Sequence, residues 1–199
     1  MILAKLKEST RDQHENLEKV VNVMESGFTR GAYERLLARF YQFYRAIEPK
    51  FVGSGIESTG FDLTARLKTH LLEADLKKLG IFNSRDQIAP VLTALPEIDS
   101  PAKAFGTLYV LEGATLGGQI ITRHLKQHLG IDNGSGCSFF NSYGDQVGPM
   151  WKKFGAAITA FAEQNGDDEA IVQAARDTFD AFAEYFSSAQ VDRSIAQTV

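Results

Sequence analysis

Cysteine occurs once in the 199 residues, at Cys137, and tryptophan once, at Trp151. A lone thiol excludes an internal disulfide, a zinc site built from several cysteines and an iron–sulfur cluster held by this chain alone. One reduced thiol and no secretory leader predict a cytoplasmic protein. Charge of one sign is also scarce. Twenty-one Lys and Arg against 25 Asp and Glu leave a net charge of −4, so no bulk field favours nucleic acid or an anionic membrane. Strict alternation of apolar and polar residues is missing, which argues against a sheet. Repeats, low-complexity segments and long linkers are missing too, so nothing divides the chain. The longest apolar stretch, Ala104 to Ile121, carries Glu112 at its centre and four glycines at 106, 113, 117 and 118. A carboxylate at mid-bilayer costs at least ~2.5 kcal/mol, so this stretch is not a membrane span.

What remains is an ordinary globular composition, 44% apolar and 23% charged, with 14 Phe and 6 Tyr for packing. Leu3, Leu6, Thr10, Gln13, Leu17, Val20 and Met24 repeat at three and four, one face of a first helix that Gly27 stops. Thr29 caps a second helix to about Phe51, and Asp62 caps a third to about Leu79, closed by Gly80. A short helical piece is expected between Ser84 and Leu95, disturbed by Pro90. Ser100 and Pro101 start a helix that runs to about Leu129 and is interrupted by its glycines. Residues 130–144 read as a loop, followed by helices over about Gln146–Gln164 and Asp168–Ala189. The expectation is one all-α domain, a helical bundle over residues 1–189, with a tail at 190–199.

Bundles hold ligands between helices, so polar or very small residues on inward faces are the informative ones. His14 falls on the flank of the first helix's apolar stripe. An imidazole there is partly desolvated, which favours the neutral ring that ligates iron, and Glu18 stands one turn on. The alternative is a histidine at a core boundary bonded to a neighbour. Gly113, Gly117 and Gly118 place three glycines within six residues of a helix, each costing ~1 kcal/mol relative to alanine. They either open a groove for a flat object and free carbonyls at a kink, or permit close helix packing. His124 and His128 could share a metal but read as a solvated helix end. His70 sits on a charged face, and Cys137 reads as a passive loop thiol. Catalytic triads, phosphate loops and paired carboxylates at di-iron spacing are not found.

Two stretches together are more specific than either alone. Leu6-Lys7-Glu8-Ser9-Thr10-Arg11-Asp12-Gln13-His14-Glu15-Asn16-Leu17-Glu18 resembles the first helix of haem oxygenases. Tyr109-Val110-Leu111-Glu112-Gly113-Ala114-Thr115-Leu116-Gly117-Gly118-Gln119 resembles that family's distal helix. Phe139-Phe140 and Tyr143 to Trp151 are similar to the bacterial branch associated with bacteriophytochromes, and the resemblance spans essentially the whole chain.

The resemblance implies a bundle with haem between the first helix and a glycine-kinked distal helix. His14 would be the axial iron ligand, and Lys7, Arg11 and Lys152 would meet the propionates. Gly113, Ala114, Thr115, Gly117 and Gly118 would form the catalytic distal face. Haem would be cofactor and substrate, cleaved with O2 to biliverdin, CO and ferrous iron. Electrons would come from a separate ferredoxin or reductase, and a bacteriophytochrome would be one user of the biliverdin. Ala114 stands where better-known members carry an aspartate that organises water. The Thr115 hydroxyl, with carbonyls freed at the kink, is expected to hold that water instead. Ala156 stands where many members carry a propionate-binding arginine. A haem carrier on the same fold is the alternative.

Overall fold

The computed structural model describes residues 1–25, 27–82 and 94–196, with side chains up to residue 187. The described residues form helices and turns with no strand. In chain order the α-helices are α1 (Ile2–Ser9), α2 (Arg11–Val20), α3 (Arg30–Ile47), α4 (Thr69–Lys78), α5 (Pro101–Leu129), α6 (Ser138–Asn141), α7 (Val147–Asn165) and α8 (Asp168–Ala196). None of the helices is long and apolar enough to cross a membrane.

Local chemistry sets most boundaries. The Thr29 hydroxyl accepts from the Ala32 amide at 3.2 Å to start α3, and Pro49 converts its end into a 3-10 turn over Glu48–Phe51. Ser100 accepts from the Lys103 amide at 3.4 Å, with Pro101 in the first turn of α5. Gly130 and Gly166 end α5 and α7 in left-handed conformation, at φ of 66° and 73°.

Several boundaries differ from the sequence expectation: α2 already ends at Val20, and α6 (Ser138–Asn141) lies inside the expected loop at 130–144. The first helix breaks at Thr10 (φ −119°, ψ 11°), whose side-chain hydroxyl donates to the Leu6 carbonyl at 2.8 Å and competes with backbone pairing. Asp62 caps only a 3-10 turn over Thr64–Arg66, through the Ala65 amide at 3.2 Å. The start of α4 is capped from a distance: the Glu48 carboxylate accepts from the Lys68 amide at 2.6 Å and the Thr69 amide at 3.2 Å. The last helix continues to Ala196, past the expected end at Ala189. The piece expected over Ser84–Leu95 lies almost wholly outside the described residues.

The core is aromatic. Phe40 and Phe43 of α3 meet Phe182 and Phe186 of α8, with Phe43 stacked on Phe182 at 3.8 Å between centroids. Phe139 and Phe140 of α6 close over Phe40. The α6 turn is itself held by buried Asp75 of α4, whose carboxylate accepts from the Ser138 and Phe139 amides, each at 2.8 Å. Against this core α5 and α8 approach closely because Gly106 has no side chain. A Cβ there would stand 2.2 Å from the Ile171 carbonyl oxygen and 2.8 Å from the Ala174 Cβ. Gly106→Ala therefore forces two backbones apart, at a cost of ~1–3 kcal/mol. The melting temperature should fall by about 2–12 °C, measurable by differential scanning calorimetry.

Candidate functional site

The scaffold for His14 is the contact of α1 and α2 with α8. Lys5 pairs with Glu169 at 2.5 Å, Gln13 donates to Asp180 at 2.7 Å, and Arg176 donates to the Ser9 carbonyl at 3.1 Å. Helix α1 buries Ile2 and Leu6, whereas α2 buries no residue fully. His14 is consequently more exposed than a place on the flank of an apolar stripe implied: its side chain is 56% accessible. One edge of the ring rests on Phe179 of α8, with centroids 5.8 Å apart and the planes nearly perpendicular. Nδ1 faces Glu18 Oε1 at 3.8 Å, beyond hydrogen-bond length. The ring is supported from one side and committed to no protein partner at short range.

The distal candidate, α5, meets this region near Thr10. Thr10 lies near the Tyr109 phenol, whose pKa burial raises while Thr10 opposes the shift. One turn beyond this contact on α2 lies His14, and one turn beyond it on α5 lies Gly113, each about 6 Å along its helix axis. Trp151 of α7 sits 5.9 Å from the Tyr109 ring, bringing the neighbouring Lys152 to the same end of the bundle.

Helix α5 is one continuous helix through its glycines, from Pro101 to Leu129. The glycines nevertheless fall into two classes. A Cβ on Gly118 would lie 2.0 Å from the Phe140 carbonyl oxygen, so Gly118 serves close packing, as Gly106 does. A Cβ on Gly113 or Gly117 would meet no atom within 4 Å. No protein contact requires glycine at those two places. Between and beyond them Leu116 and Ile120 are 44% and 61% exposed, with Ala114 exposed beside them. The open face of α5 is thus flat, apolar and unfilled, and it can be approached to backbone distance. An exposed imidazole and such a face are the residue types that suit a haem, which takes a nitrogen ligand and a small backbone surface.

Thr115 does not belong to that face. It is 6% exposed, and its hydroxyl donates to the Glu112 carbonyl at 2.7 Å, on the inward side of α5. Its one donor is therefore spent on the helix backbone and not on water beside a distal ligand. Thr115→Val should leave turnover unchanged within about twofold while costing ~0.5–1.5 kcal/mol of stability. Single-turnover kinetics and urea unfolding measure the two effects separately.

Lys7, Arg11 and Lys152 are all exposed. Arg11 pairs with Glu8 at 2.7 Å, a surface bridge worth at most ~1 kcal/mol that a ligand carboxylate can replace. Ala156 is exposed one turn after Lys152. The other histidines behave as a structural reading requires. His128 Nδ1 lies 3.0 Å from the His124 carbonyl, the two rings stack at 4.1 Å, and His70 is exposed. Cys137 is buried beside Thr122 at 3.6 Å, and burial pushes its thiol pKa up. No group of three or more His, Cys, Asp or Glu is placed to hold a metal ion among the described residues.

Sequence reasoning missed a buried ionic cluster behind the glycine face. Glu112, 1% exposed, accepts from Arg66 Nη1 at 2.5 Å, Lys68 Nζ at 2.6 Å and the Tyr143 hydroxyl at 2.7 Å. Burial holds the Lys68 ammonium below its ordinary pKa, opposed by Glu112, and burial also drives the Tyr143 phenol well upward. The available signal was Glu112 itself, a charge amid apolar residues that demands buried cations.

Residues 1–188 match the protein family described as heme oxygenase. The chain is similar to heme oxygenase PigA of Pseudomonas aeruginosa, at 25% identity over 177 residues, covering 88% of this chain and 86% of that one. Its fold is similar to that of a heme oxygenase from Neisseria meningitidis solved with NO and CO bound, with a TM-score of 0.75 at 20% identity over 94% of this chain and 92% of that one. A heme oxygenase structure from Leptospira interrogans aligns equally well, with a TM-score of 0.75 at 18% identity over 94% and 98% of the two chains.

Proposed function

The chain belongs to the haem oxygenase family, and we propose on that footing how its own residues carry the oxidative opening of haem to biliverdin, CO and ferrous iron. The observation that carries the reading is the pair Gly113 and Gly117: two glycines inside a helix where an added Cβ would meet no atom of the described residues within 4 Å. Haem is the substrate, and when bound it would supply the iron at which O2 is activated, with electrons from a separate ferredoxin or reductase. His14 would hold that iron. Its Nδ1 is on the Glu18 side, at 3.8 Å, which leaves Nε2 for the metal. Gly113 and Gly117 let the α5 backbone lie against the other face, and Leu116 and Ile120 keep bulk water from it. Lys7, Arg11 and Lys152 are the cations for the propionates.

With alanine at 114 and Thr115 turned inward, no side-chain carboxylate or hydroxyl at these two positions orders water on the distal side. Solvent entering over the Gly113 and Gly117 face is then the source of protons. The buried thiol of Cys137 suits a reducing compartment, which supports a cytoplasmic location. The resemblance to the bacteriophytochrome-associated branch supports a bacteriophytochrome as one consumer of the biliverdin.

The test is a single turnover. Ferric haem is bound stoichiometrically, and a reductase with its electron source is added under air. The Soret band should decay while biliverdin absorbance grows. A ferric complex that persists unchanged would assign the chain to haem binding without degradation.

A further inference from the structure

The Glu112 cluster joins three separate segments. Glu112 is on α5, Arg66 and Lys68 are in and just after the turn before α4, and Tyr143 is in the loop after α6. Arg66 Nη1 also donates to the Met150 carbonyl of α7 at 3.1 Å, and Lys68 Nζ donates to the Arg66 carbonyl at 2.8 Å and the Tyr143 oxygen at 3.1 Å. The three charged side chains are 1%, 5% and 3% exposed.

Stability alone does not explain such a cluster. Taking three charges out of water costs more than their attraction commonly returns, and well-packed apolar replacements of all members are often neutral or stabilising. Position is the better-attested use of buried ionic groups. Position is also what the adjacent segment lacks. From Gly113 to Gly118 the helix holds three glycines, and among the described residues nothing stands within 4 Å of a Cβ at Gly113 or Gly117 to brace that face. The restraints come from behind. Besides the cluster, they include the close approach of Gly118 to Phe140 and the bond from Gln119 Nε2 to the Gly144 carbonyl at 3.1 Å.

We infer that Glu112 is a positioning residue: gripped by Arg66, Lys68 and Tyr143, it fixes the glycine face of α5 at one height and rotation over the substrate plane. The inference rests on the haem reading above for what lies on that face, but not for the restraint itself. A face pinned from behind stays free of side chains in front, so the backbone can approach a flat substrate without losing its register.

Two variants test it. Tyr143→Phe removes one donor and leaves every charge paired. The triple variant Arg66→Met, Lys68→Met, Glu112→Met removes all charges together, so no ion is stranded. Both should fold, the triple with a melting temperature equal to or above wild type. Hydrogen exchange of the apo proteins should accelerate for amides 113–119 by about tenfold in the triple and a few-fold in Tyr143→Phe, with the rest of α5 unchanged. In the haem–CO complexes, the carbonyl stretching band should broaden or split where wild type gives one narrow band. Unchanged exchange and an unchanged band in the folded triple would overturn the inference. A triple that fails to fold would overturn it as well, since the cluster would then serve stability. The exchange measurement needs no haem, so a chain that binds none still reports on the restraint.

Discussion

His14→Ala is expected to yield a folded protein that binds haem without its nitrogen ligand and turns it over on the order of a hundredfold more slowly, or less, the equivalent of ~2.7 kcal/mol or more. The fold should tolerate the change because the side chain is 56% accessible and makes one aromatic edge contact, with Phe179. Losing that contact costs ~0.5–1.5 kcal/mol. Exogenous imidazole should restore the ferric spectrum, since the space left on α2 is open to solvent and matches the missing ring. Absorption and electron paramagnetic resonance spectra with and without imidazole check this. An unaltered spectrum and turnover in His14→Ala would remove His14 from the site.

Gly117→Leu should separate ligand binding from folding. No atom lies within 4 Å of a Cβ at that position, so the apo protein accepts the side chain. Removing a helix-interior glycine should stabilise it by up to ~1 kcal/mol. The same side chain occupies the face where the substrate lies, so haem affinity or turnover should fall by about a hundredfold. Gly118→Leu is the control, one residue away and opposite in sign. A Cβ there lies 2.0 Å from the Phe140 carbonyl oxygen, so that variant should lose stability before function is measured. Melting curves of both apo proteins, followed by haem titration of Gly117→Leu, decide the matter. Normal binding and degradation by Gly117→Leu would make the glycine face ordinary surface.

Features governed by one or two neighbouring residues were legible in the chain. Thr29, Ser100-Pro101, Gly130 and Gly166 set helix ends through caps that need only local geometry. The two quoted motifs led to the family, whereas the spacing of His14 overstated its burial, since its side chain is 56% accessible. Features decided by distant partners were not legible. The break at Thr10 depends on whether its hydroxyl turns to Leu6. Glu48 caps α4 from twenty residues earlier. The four glycines of α5 look alike in sequence, yet Gly106 and Gly118 meet backbone from α8 and α6 while Gly113 and Gly117 meet nothing. Thr115 was assigned to the distal face through the family resemblance, yet it is buried and its hydroxyl turns to the Glu112 carbonyl. Glu112 was informative only as an obstacle to a membrane span, since the cations that satisfy it lie more than forty residues away.

The most direct measurement of the central claim is a crystal structure of the ferric haem complex. His14 Nε2 should be the iron ligand, with Glu18 on the Nδ1 side, and the backbone of Gly113 and Gly117 should face the opposite side of the ring. Iron held by His70, His124 or His128, or a haem lying away from the glycine face of α5, would contradict it.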